Sequence, residues 1–406
     1  MSRRVDASAG LAPVDEAEMI TRGMGVTNLV NRATARVSPQ TKVVYNSTMK
    51  AFGLLSFGHH ALPGQQGMDA RQTLQAQLEI ARAADEIGVN GAYTRVHHFA
   101  PQGAAPMPML AAMIGATKRI EVGTGVIDMR YENPYYLAEE AGALDLLADG
   151  RVALGVSRGS PEPANKGWEA FGYTGEAPNG ADIARKKFEL FMAAIRGYAV
   201  AEAAPLEQQY PRMYQPGTPL PIFPHSPDLD KRVWWGAGTH ASAEQAARDG
   251  VNLMSSTLVS EADGRTLGEL QAEQIVRYRQ AWVDAGHDWV PRVSVSRSIF
   301  PILSDEDRRQ YGLLASGEDQ IGMIEPGVQT TFGRTYAAEP DVLIDQLKAD
   351  PAIAAADTLM ITIPNQLGLD ANVRILSNFA EHVAPALGWI SNTEGPVEGY
   401  PLDREL

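Results

Sequence analysis

Cysteine is missing altogether from this chain of 406 residues. Disulfides, thiolate nucleophiles and zinc–sulfur or iron–sulfur centres are therefore excluded. No run approaches the ~20 consecutive apolar residues of a membrane span. The opening MSRRVDASAGLAPVDEAEMI also lacks the apolar core of a secretion signal. A cytoplasmic protein with no membrane partner is expected. Basic residues are scarce, 35 against 49 acidic, for a net charge of −14. Nucleic acid is thereby excluded as the main partner, because phosphate backbones need a basic surface.

What the chain does have is apolar material, 44% of its residues, arranged in an alternation. Residues 1–48 are polar and show no sustained period, and read as an N-terminal extension. From residue 49 onward, apolar runs of strand length alternate with segments of helical period. The strand-like runs are 50–58, 91–99, 120–129, 151–160, 232–238, 251–256, 292–303 and 358–364. The helical segments are 69–88, 108–118, 133–150, 183–198, 241–250, 261–286, 340–349 and 369–386. Eight of each is what a (β/α)₈ TIM barrel requires, here over residues 49–388 with a tail at 389–406. A proline-rich excursion (200–231) precedes strand five. A glycine-containing stretch (304–338) follows strand seven as an irregular, mobile lid. A doubly wound open sheet would favour G-x-G-x-x-G after the first strand, and SFGHHALPGQQG does not supply it.

Barrel active sites lie at the C-terminal strand ends, which shortens the residue list. In RVALGVSRGS (151–160), an apolar strand ends on Arg158 between Ser157 and Gly159, neighbours small enough to let a ligand approach. A guanidinium there can hold an anion or pair with an acidic loop. WGAGTHASAEQAARDG (235–250) ends a strand in Gly236 and Gly238, then opens a helix with Thr239, His240, Ala241 and Ser242. Helix-tip amides and two hydroxyls make an anion site, or Thr239 and Ser242 simply cap the helix. In VHHF, successive residues face opposite ways. One of His97 and His98 can then face the pocket as a proton-transfer group, while the other packs under a helix. Gly123 and Gly125, poor strand formers, mark either a close backbone approach to something flat or a bulge. No other metal ligands cluster with His97, so no metal site is expected.

VHHF, ATKRIEVGTGVI, NPYYLAEEAGALDLLADGRVALGVSRGS and THASAEQAA, in this order, resemble the bacterial luciferase-like flavin monooxygenases. The resemblance covers strands two to five closely and residues 50–385 more loosely. It implies a TIM barrel binding FMN at its mouth, with Arg158 on the phosphate beside Thr239, Ser242 and the nearby amides of Gly238, His240 and Ala241. Arg185 falls where the family often has a second phosphate arginine, or is an exposed helix cation. The Gly125–Val126 peptide matches a non-prolyl cis bond under the flavin ring. His97 aligns with the family's catalytic histidine. Ser157 replaces a reactive cysteine of luciferases and Val96 replaces a glutamate, so light emission is not implied. The activity implied is oxygenation of a small apolar organic substrate by reduced FMN and dioxygen through a flavin peroxide. A separate flavin reductase supplies the electrons, and the family is usually homodimeric. Three alternatives stay open: a deazaflavin oxidoreductase on the same fold, a non-catalytic flavin-binding protein and a metal-dependent hydrolase. Of Phe57, Met129, Tyr131 and Trp234, each either reaches the pocket or packs in the core.

Overall fold

The computed structural model describes residues 51–315, 317–324 and 327–392. The expected N-terminal extension (1–48) and most of the expected tail lie outside the described residues. Eight parallel strands close on themselves: β1 (Ala51–Ser56), β2 (Gly91–Thr94), β3 (Glu121–Thr124), β4 (Val152–Ser157), β5 (Val233–Ala237), β6 (Asn252–Ser255), β7 (Val293–Pro301) and β8 (Thr358–Ile363). β1 pairs with β2 and β8, and the ring is sealed by β7 against β6, with Val293 opposite Leu253. Every residue of β1, β2, β3 and β4 is buried. That is why these runs do not alternate apolar with polar residues, as strands with one solvated face would.

The helices around the ring are α1 (Ala70–Ile87), α2 (Pro106–Ala116), α3 (Pro134–Leu147), α4 (Ala181–Ile195), α5 (His240–Asp249), α6 (Leu267–Ala285), α7 (Pro340–Lys348) and α8 (Leu369–His382). Local chemistry fixes their ends. Asp69 and Gln72 form a reciprocal capping box on α1, and Thr266 with Glu269 does the same on α6. Asn133 caps α3 ahead of Pro134.

The lumen is filled from β2. A Cβ on Gly53, Gly91 or Gly123 would come within 2.7, 2.5 and 2.9 Å of the Tyr93 side chain. Three glycines on three strands therefore make room for one ring. The flat group that Gly123 approaches is Tyr93, and no bulge is needed. Tyr93 Oη donates to Glu121 Oε1 (2.6 Å), whose other oxygen accepts from Arg292 (2.8 Å). This closes the floor with a hydrogen-bonded polar layer.

Two expectations need correction. β2 stops at Thr94, not at 99, so the histidine pair lies on the loop beyond the strand. That loop folds back, with His97 N donating to Gly103 O (2.9 Å) and Phe99 at φ 57°. The stretch 304–338 is not irregular. It holds a short helix (Asp305–Tyr311) and an antiparallel pair, Gln320–Met323 with Gln329–Phe332, which extends to Leu258–Val259. A further strand, Thr335–Ala338, runs parallel to β7. Segments of four residues interrupted by glycine carry too little alternation to show as strands. Residues 201–220 belong to a separate compact unit, in which the Gln209 side chain bridges Ala204 and Tyr214.

Candidate functional site at the barrel mouth

The neighbouring ends of β4 and β5 carry the two anion candidates. Arg158 follows β4 and is half-buried. Its turn is rigid: Gly159 sits at φ 82° and its N–H donates to Ser157 Oγ (2.7 Å). The space beside Gly159 is not open to a ligand, because a Cβ there would collide with the Asp128 carboxylate. Asp128 in turn holds Arg130 (Nε to Oδ1, 2.9 Å), and Arg130 Nη2 donates to Ser160 O (2.7 Å). Arg95 Nη2 reaches Ser160 Oγ (3.3 Å). The arginine between serine and glycine is thus presented on a turn clamped from two neighbouring loops.

At β5, Thr239 is the N-cap of α5 and its Oγ1 accepts from Ser242 N (3.1 Å). Ser242 Oγ accepts from Trp235 Nε1 (2.9 Å). Capping therefore occurs, yet each hydroxyl still has its own proton to donate. Ala241 N–H lies in the first turn, where no intrahelical acceptor exists. Gly238 is open, with Leu258 3.8 Å from where a Cβ would stand. The helix tip already holds an oxyanion: Glu261 Oε2 accepts from His240 N (3.1 Å) and pairs with His240 Nδ1. A carboxylate from the chain itself thus occupies the place that suits an anion.

Between the two ends lies a flat, small-residue surface. Val126 methyls come within 3.1 and 3.2 Å of where a Gly236 Cβ would stand, and Ser157 Cβ within 3.3 Å. The Gly125–Val126 peptide is cis.

Arg185 is not brought to this end. Its guanidinium is held by Asp249 (Nη2 to Oδ1, 2.8 Å) and Glu189 (2.6 Å). Asp249 is the last of the ten residues of α5, ~15 Å along the axis from the N-cap.

His97 Nε2 lies 3.1 Å from Glu162 Oε2 and 3.3 Å from Pro161 O, and its Nδ1 is buried with no partner among the described residues. Burial first, and then the charge of Arg95, pull its pKa below the ordinary value. Glu162, whose side chain is 2% exposed, is pushed the other way, to about 7, by burial and by the Asp128 charge. An imidazole with a lowered pKa in contact with a carboxyl raised to about 7 suits proton transfer. His98 takes the structural role: it stacks on Tyr131 (4.0 Å) and burial lowers its pKa to about 4. Glu162 and Arg130 escape a reading by strand ends because they lie on loops, and Arg95 and Asp128 because the expected strands 91–99 and 120–129 run past them. EPANKG after the turn carries no motif that marks Glu162.

Phe57 lines a mouth cavity of about 320 Å³ with Ser298, Phe332, Arg334 and Ile363. Met129, Tyr131 and Trp234 are core. A recess of about 410 Å³ beside α5 is lined by four carboxylates, whose partners His240, Arg265 and Arg277 also line it. Among the described residues no three His, Asp or Glu side chains converge to hold a metal ion. No described helix is long and apolar enough to cross a membrane.

The family model of luciferase-like monooxygenases matches residues 49–321, more than half of the chain. The chain belongs to this family. Over 247 residues it is 25% identical to the alkanal monooxygenase alpha chain of Photorhabdus luminescens, covering 58% of this chain and 60% of that one. The oxygenating constituent of 3,6-diketocamphane monooxygenase from Pseudomonas putida, solved with FMN, shares the fold. It has a TM-score of 0.56 and 17% identity over 83% of this chain and 98% of that one. An F420-dependent secondary alcohol dehydrogenase aligns with a TM-score of 0.57 and 16% identity over 84% and 99%. Neighbours of this fold carry FMN or F420, so a flavin-type cofactor is the group against which the site is tested.

The residues fit such a cofactor. The helix tip holds an oxyanion, the hydroxyls keep donors, and Val126 and Ser157 pack against Gly236 beside them. A phosphate at this helix tip would have to displace Glu261 from His240. Glu261→Gln is therefore expected to tighten FMN binding several-fold, read by flavin fluorescence titration, since an uncharged amide competes less for the helix tip.

Proposed function

We propose that this chain is the oxygenase component of a two-component system that uses reduced FMN and dioxygen to oxygenate a small organic substrate. The observation that carries the reading is the juxtaposition, at the ends of β4 and β5, of Arg158 with a helix tip that already accepts an oxyanion. Bound reduced FMN supplies the two electrons with which one oxygen atom enters the substrate and the other leaves as water. A separate flavin reductase replenishes it.

The chain does the rest. Arg158, the Thr239 and Ser242 hydroxyls and the Ala241 amide hold the phosphomonoester. Gly125, Val126, Ser157 and Gly236 border the ring. His97 exchanges a proton through Nδ1, while Glu162 faces Nε2 and fixes the imidazole's orientation. The segment after β7 covers the mouth cavity through Phe332 and Arg334 and keeps water from it.

Hydride transfer with a deazaflavin is the second reading, favoured by the likeness to the F420-dependent dehydrogenase. Parallel fluorescence titrations with FMN and with F420 separate the two. Tighter binding of FMN is expected, and preferential binding of F420 would transfer the chain to the second reading.

A further inference from the structure

The mouth cavity of about 320 Å³ is unusual in its charge. Its walls are apolar at Phe57, Phe300, Phe332 and Ile363, and its charged lining consists of Arg297 and Arg334, with no Asp or Glu among the described residues that line it. His59 also lines it, with its pKa lowered by burial and by the Arg95 charge, so it is neutral near pH 7. Arg297 is spent: Asp350 takes its Nε (2.8 Å) and Nη2 (3.1 Å), and Gln271 takes its Nη1 (2.7 Å).

Arg334 is different. Its backbone is pinned, with its N–H donating to Asp319 Oδ1 (2.8 Å), and the second Asp319 oxygen accepts from Leu267 N. The Asp319 carboxylate is therefore committed to amides, and Glu339, five residues on, pairs with Arg308. The Arg334 guanidinium makes a long contact to Gly317 O (3.4 Å), lies 4.5 Å from the Tyr336 ring centroid and hydrogen-bonds the Tyr336 hydroxyl, and none of these partners is a carboxylate. Among the described residues no carboxylate lies within ion-pair distance of it. Behind the cavity wall, Arg95 stacks on Phe57 (4.7 Å) and likewise has no carboxylate within that distance among the described residues. A chain of net charge −14 has thus kept acidic groups out of one apolar cavity and left cationic charge at its edge. Such a cavity focuses an anion, and a planar guanidinium grips a carboxylate through paired donors.

We infer that this cavity binds an organic anion, a flat apolar body carrying one carboxylate, with the body among the phenylalanines and the carboxylate on Arg334. The inference rests on the proposed function only in taking that anion to be the substrate. Arg334 is a binding and specificity residue and moves no proton.

Sodium benzoate and its neutral isostere benzamide are the probes, titrated calorimetrically into the full-length protein at low salt. The parent is expected to prefer benzoate by about tenfold or more, the effect of one charge-assisted pair. Arg334→Gln should bring the ratio close to one and Arg334→Lys should retain part of it, with melting curves confirming that both variants fold. FMN affinity should stay within about twofold in both, because the phosphate is held elsewhere. A parent without preference, or a preference unchanged in Arg334→Gln, would overturn the inference. Competitive displacement of benzoate by FMN would overturn it too, by placing the anion on the phosphate site. A benzoate preference that persists with no FMN binding supports the anion cavity and sinks the cofactor reading instead.

Discussion

Replacing Arg158 by alanine is expected to weaken FMN binding by about 10- to 150-fold, the value of ~1.5–3 kcal/mol for hydrogen bonds to a charged group. Riboflavin, which lacks the phosphate, should bind parent and variant alike. The argument is one of placement. The turn that carries Arg158 is fixed by Gly159 N–H on Ser157 Oγ and by Arg130 on Ser160 O. The backbone that presents the guanidinium is therefore fixed before a ligand arrives. Arg185 is the control. Its guanidinium is already held by Asp249 and Glu189, so Arg185→Ala should leave FMN affinity within about twofold of the parent, each charge pair there being worth little at the surface. An Arg185 variant that loses FMN while Arg158→Ala keeps it would reverse the assignment.

The second large effect is expected at His97. His97→Ala should lower product formation by about 10²–10⁴-fold, the usual contribution of a positioned acid–base group. FMN affinity should be unchanged, with reduced FMN still consumed and hydrogen peroxide released in place of product. Coupling, measured as product per reduced FMN oxidised, is the decisive quantity. Glu162 adds a pH signature. Its carboxyl is raised to about 7, so falling pH protonates it first and removes the charge that orients His97. Product formation should therefore drop as pH falls through about 7, and Glu162→Gln should lose that limb of the profile. The same shift fixes the sign for stability. A raised carboxyl pKa favours the folded state below the unfolded value of ~4.3 and costs stability as pH rises to about 7. Glu162→Gln should thus gain melting temperature relative to the parent between pH 5 and 8.

The barrel was legible because its strands are buried on both faces and alternate with segments of helical period stopped by glycine. Element existence survives errors at element ends, which is why β2 could be drawn too long without harm to the ring. Arg158 and Thr239 were legible for a related reason: once a barrel is assumed, the residue after each strand has a known address. Glu162 had no such address, and Arg95, which directly follows β2, was hidden because that strand was drawn to 99. Glu162 meets the histidine loop from 64 residues away, and Arg95 reaches Ser160 across 65. Neither distance is encoded in a local period. The strands within 304–338 were hidden by their brevity, and Glu261 on the helix tip by its position on a separate loop.

The most direct test of the central claim is a crystal structure of the protein with FMN. The account predicts that the phosphate lies within hydrogen-bond distance, roughly 3 Å, of both the Arg158 guanidinium and the amides at the tip of α5, with Glu261 displaced. A phosphate bound away from Arg158, with Glu261 still on His240, would contradict it.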